Sequence, residues 1–201
     1  MTTANTSARS ESPSSGGVGE ASYFTIEEMI SSATALREGI DNRPNKCAYH
    51  LLHVLVDQLL DPIREAWGEP IVVSSGYRCK ELNTLVGGAK NSHHMLGCAA
   101  DIIAGNKADH RRLFNLIQQM QQEGKIRFTQ LIAEKGYRWL HISYVPGMLR
   151  DQVIDVNVDD DENDDVNKPS GRVNIAEPQS TSALTLSLEE KSALRDYQDS
   201  G

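Results

Sequence analysis

A chain of 201 residues with 20 basic and 28 acidic side chains, net charge −8, holds one folded domain comfortably and hardly two. Much of that negative balance sits in residues 155–165, which argues against nucleic acid as a partner. No run approaches the ~20 apolar residues that would be needed to span a membrane, and the three cysteines (Cys47, Cys79, Cys98) cannot all pair internally, so they are expected to be reduced.

Residues 1–22 are rich in Ser, Thr, Gly and Ala without an apolar run, and read as a disordered tail. The folded domain is placed at residues 23–153. Thr25 with Glu28 three residues on forms a capping box, which opens a helix ending at Gly39 or in the turn at 41–44. Over residues 46–67, Leu51, Leu52, Leu55, Leu59, Ile63 and Trp67 share one helical face. Pro62 within that run predicts a kink or a break, and Gly68 a stop. Ile71, Val72 and Val73 predict a short buried strand. A helical turn at 79–86 stops at Gly87-Gly88, and a strand follows at 99–104. Residues 107–122 read as an amphipathic helix, and 128–134 and 139–144 as two strands joined by a turn at 135–137. This order predicts an α+β fold, a small antiparallel sheet with helices packed on one side and a metal cleft over the sheet. Residues 154–201 read as an acidic linker and C-terminal tail, in which 187–197 form a short helix or a partly ordered peptide. The acidic run fails as a calcium loop, with Asp164 where a glycine is needed and Ser170 where a glutamate is needed.

The chemistry concentrates in three blocks. Ser75-Gly76-Tyr77-Arg78 follows the first strand. Ser92-His93-His94, Gly97 and Asp101 follow, and then Trp139-Leu140-His141-Ile142-Ser143. Two imidazoles and a carboxylate on short segments are a ligand set for Zn²⁺ that leaves one position open, the arrangement of a catalytic site. Strand alternation puts Trp139, His141 and Ser143 on one face, and Gln130, Ile132 and Glu134 together on the neighbouring strand.

In order, S-G-Y-R, S-x-H-x-x-G-x-A-x-D and W-x-H-x-S resemble the zinc D-alanyl-D-alanine carboxypeptidase family (peptidase family M15), in its compact bacterial and phage branch, over residues 23–144. The resemblance implies one Zn²⁺ per chain on His94, Asp101 and His141. It implies peptidoglycan peptides as substrate, with Arg78 holding the substrate's carboxyl end and Ser92 near the metal or that carboxylate. Tyr77 lines the pocket or holds the turn. The implied activity is hydrolysis of stem or cross-link peptides, by a carboxypeptidase or an endopeptidase. The alternatives are a non-catalytic zinc-containing wall-binding module and a phage virion component.

The general base departs from the family's pattern, because its usual positions hold Arg138 and Trp139, neither of which takes a proton from water. Glu134 is the first candidate and His93 the reserve. The N-terminus shows no basic region followed by an apolar one. The expectation is therefore a monomer made in the cytoplasm without a signal peptide, acting at the cell wall after release or delivery, as a phage endolysin does.

Overall fold

In the computed structural model, which describes residues 22–155, the first helix begins where its capping residues put it. Thr25 and Glu28 each accept the other's backbone N–H at the start of α1 (Ile26–Ile30). The expected single helix is two. Ser31 and Ser32 are extended, and the Ser32 hydroxyl takes the Ala35 N–H to open α2 (Ala33–Glu38), which Gly39 closes in the left-handed conformation.

The long apolar run forms α3 (Lys46–Leu55), a π turn (Val56–Leu60) and α4 (Asp61–Trp67). Pro62 neither donates a hydrogen bond nor tolerates the carbonyl four residues back. The turn before it widens, with the Asp61 N–H reaching Val56 O, and the helical run passes through without a break. Two further helices, α5 (Lys80–Leu85) and α6 (Lys107–Gln122), lie where the sequence places them. None of the described helices is long and apolar enough to cross a membrane.

The sheet contains β1 (Val72–Ser75), β2 (Ala99–Ile103), β3 (Gln130–Glu134), β4 (Trp139–Ser143) and β5 (Gln152–Asp155), in the order β1-β2-β4-β3-β5. Every pairing is antiparallel except β3 with β5. Two strands differ from expectation. β1 is an edge strand rather than a buried one, and Val72 is 60% exposed. β5 has no counterpart in the sequence reading, and it carries the sheet on to Asp155, into the segment read as acidic linker. Its four residues are all half-buried, so they carry no alternating pattern to read. Pairing with β3 and the hydrogen bond from the Tyr137 hydroxyl to Asp155 Oδ2 (2.6 Å) recruit them. The remaining tail residues, including the helix expected at 187–197, lie outside the described residues.

One face of the sheet is core. Ala100, Ile102, Leu131, Ala133, Leu140 and Ile142 pack with Leu52, Leu55, Leu59 and Ile63 of the long helical run and with Leu113 and Ile117 of α6. At ~1.5–3 kcal/mol for each large aliphatic side chain buried, this layer is the main favourable term in folding. Its period of two leaves the alternate residues, Asp101, Ile132, Glu134 and His141, on the opposite face, where they line a cleft.

Candidate metal centre and its cleft

Asp101 and His141 are brought together by strand register. They are direct partners across the antiparallel β2–β4 pair, which puts both side chains on one face as neighbours. His94 arrives from a 3₁₀ turn (His93–Leu96) that leads into β2. Ser92 caps the turn and Gly97 ends it at φ +75°. A Cβ at Gly97 would lie 2.3 Å from the Ala48 carbonyl oxygen, so the glycine lets the turn sit directly against α3. His94 Nδ1–H donates to the Gly76 carbonyl (2.7 Å), and the Arg78 N–H returns a bond to His94 O (3.2 Å). The S-G-Y-R block thus backs the histidine, and no side chain fits at Gly76, where a Cβ would lie 2.1 Å from Met29 O.

With its Nδ1 proton held by Gly76, His94 turns the lone pair of Nε2 toward its two partners. Nε2 lies 3.1 Å from Asp101 Oδ1 and 3.1 Å from His141 Nδ1, and His141 Nδ1 lies 2.9 Å from Asp101 Oδ1. A single proton on His141 Nδ1 serves only one of these neighbours at a time. Three electron-pair donors converging in this way are completed by a cation, and two imidazole nitrogens with one carboxylate oxygen suit Zn²⁺. The group is sheltered: His94 is 2% exposed and Asp101 8%. Burial pushes the His94 imidazolium down, favouring the neutral ligand. Burial alone would raise the Asp101 carboxyl. The hydrogen bond from His141, and positive charge on either imidazole when it is protonated, overcome it and hold the group well below the usual carboxylate range. Arg78 Nη2 donates to the outer Asp101 oxygen, Oδ2 (2.7 Å), while its Nε is held by Ser75 Oγ (2.9 Å).

The triad lies in an open cleft of about 490 Å³. Glu134 lines this cleft, cross-strand from Trp139 and two residues along β3 from Ile132, the partner of His141. His93 lines it too, with Nδ1 3.1 Å from Ser143 Oγ, and burial pushes its imidazolium down to about 4. Ser92 lines the cleft and spends its hydroxyl capping the turn that bears His94. Tyr77 is not among the residues lining this cleft. It is buried, joins the core, and borders a second groove between β1 and the α1–α2 connection. The Tyr77 N–H bond to Met29 O turns the chain there, so Tyr77 enters the core while Arg78 faces the cleft. Arg150, which the sequence reading did not single out, also lines the cleft. It sits in the β4–β5 connection outside every motif, and nothing in its neighbours along the chain marks it.

Comparison with known proteins gives the same blocks a family. The model of the family described as Peptidase M15 matches residues 22–143, covering β1–β4, the 3₁₀ turn and all three triad residues. A zinc D-Ala-D-Ala carboxypeptidase of Streptomyces albus G is 49% identical over 49 residues, which is 24% of this chain. The match spans about a fifth, 19%, of that relative's length. With the family model covering well over half of the chain and the triad assembled in a cleft, the chain belongs to the peptidase M15 family.

Proposed function

We propose that this chain is a zinc-dependent peptidase acting on peptidoglycan stem or cross-link peptides, with one Zn²⁺ held by His94 Nε2, Asp101 and His141 Nδ1. The observation that carries the reading is the convergence of these three donor atoms in one cleft, with the outer atoms of His94 and Asp101 already engaged by Gly76 and Arg78. When bound, the ion supplies Lewis-acid polarisation of a carbonyl and lowers the pKa of water to about 7. Around it the chain's own residues divide the work. Glu134, on the cleft face of β3, accepts the proton of the attacking water and returns it to the leaving amine. Arg78 steadies Asp101 from the side away from the triad and presents its remaining N–H groups to a substrate oxygen near the scissile bond. Ser92 and His93 shape the wall beside His94.

Glu134 within the cleft favours turnover over a purely binding module. Cleavage of wall peptides, as by a lysis enzyme, is the biological role this chemistry serves. The test is metal analysis of the purified protein together with mass spectrometry of muropeptides after incubation with the zinc-loaded chain. The reading expects about one zinc per chain and a product mass that identifies the bond. A protein that binds zinc and leaves every muropeptide intact would return the chain to the binding-module reading.

A further inference from the structure

We infer that Arg150 is a carboxylate-binding residue of the cleft, one that takes a terminal carboxylate of the substrate peptide beyond the scissile bond. This rests on the peptidase reading above. Arg78 and Arg150 are the two cations lining the cleft. Arg78 is partly committed: its Nη2 is on Asp101, its Nε is on Ser75, its side chain is only 14% exposed, and its remaining N–H groups serve the scissile bond. Arg150 is exposed at the rim and has no ion-pair partner among the described residues. It is a free guanidinium, the planar two-pronged donor that matches a carboxylate.

Its backbone is held in place. Asp151, the next residue, adopts φ +49°, which is unusual for a side chain other than glycine. Both Asp151 carboxylate oxygens are used, Oδ1 by the Phe128 N–H (3.0 Å) and Oδ2 by Arg127 Nε. Arg127 also donates to the carbonyl of Leu149 (3.1 Å), and the Asp151 N–H bonds Phe128 O (2.9 Å). The residues on both sides of Arg150 are therefore tied to the segment leading into β3, so the backbone that carries the guanidinium is already ordered when a carboxylate binds.

Spacing completes the argument. His141 faces Ile132, and Gln130, which hydrogen-bonds Gln152 (2.8 Å) on the Arg150 side of the cleft, is two residues along β3. In the parallel β3–β5 register Gln152 stands opposite Gln130, so Arg150, two residues before Gln152, enters the cleft from this end, beyond Gln130. Glu134 lies the same number of residues the other way, so the cleft has an acidic end and a basic end.

The probes are diacetyl-L-lysyl-D-alanyl-D-alanine and its C-terminal carboxamide, presented to the zinc-loaded full chain, with hydrolysis and calorimetric binding both measured. The wild type should favour the free carboxylate by tenfold or more in KM or Kd. Arg150→Gln should abolish that preference while leaving zinc content and the kcat for the carboxamide unchanged, and Arg150→Lys should keep part of it. An Arg150→Gln variant retaining the full preference overturns the inference, as does a wild type that shows none. A wild type that binds the carboxylate form through Arg150 but cuts neither peptide sustains Arg150, and the peptidase reading then falls only if the zinc-loaded chain leaves muropeptides intact as well.

Discussion

Two imidazole nitrogens and a carboxylate oxygen held 2.9–3.1 Å apart share at most one proton among them, which leaves lone pairs facing one another until a cation joins them. Replacing His94, Asp101 or His141 by Ala should therefore remove zinc and activity together, whereas His93→Ala should keep the metal; elemental analysis reads both. Loss of zinc in His93→Ala alone would move the ligand assignment by one residue. Glu134→Gln keeps shape and removes the proton acceptor, so kcat should fall by about 10²–10⁴-fold with zinc retained. Near-normal turnover there would pass the role to His93. The metal-free protein has its own pH signature. His93 titrates near 4 in the fold against about 6.5 in the unfolded chain, and His94 is shifted the same way. Between these values the unfolded state binds more protons, so stability should fall as pH drops from about 6.5 to 4, by no more than about 3 kcal/mol for His93. Denaturant melts of the metal-free protein across that range test it, and a flat profile would contradict the buried neutral ring.

At the scale of elements, the site depends on how tightly three segments close on one another. The His94 turn presses on α3 through Gly97, and the S-G-Y-R segment presses on α1 through Gly76. Gly97→Ala meets both a left-handed backbone and the Ala48 carbonyl, and should cost roughly 2–4 kcal/mol and weaken zinc binding with it. Chemical denaturation with zinc titration measures both effects, and unchanged values would mean the turn relaxes without disturbing His94. The motif glycines are visible in the sequence, but the contact each one makes room for is not. That Gly76 serves close approach to Met29, and not a positive φ, is visible only once α1 is docked. The π turn before Pro62 has the same character: the proline announces a disturbance, and packing of both helical halves into one core selects widening over breaking.

For the whole molecule, β5 completes the described sheet. A chain ended after Asp155 should melt like the full chain, whereas one ended after Asp151 loses β5 and the Tyr137–Asp155 bond and exposes β3 as an edge. The shorter chain should melt lower by about 10 °C, the scale expected for a few kcal/mol in a domain of this size. Equal melting would show that β5 contributes nothing to the fold. By itself the sequence determined the helices with caps, the strands with alternation, and the ligand triad, because each rests on chemistry within about ten neighbouring residues or on a motif. Glu134 was legible as a cleft residue for the same reason, since period-two alternation within β3 needs no partner strand. Tertiary structure alone decided the rest. The edge position of β1, the recruitment of β5, the engagement of Arg78 by Asp101 and the free guanidinium of Arg150 all depend on residues 18 to 30 or more positions apart meeting in space. No local pattern encodes such meetings, because what selects them is the burial of the whole sheet face against the helices.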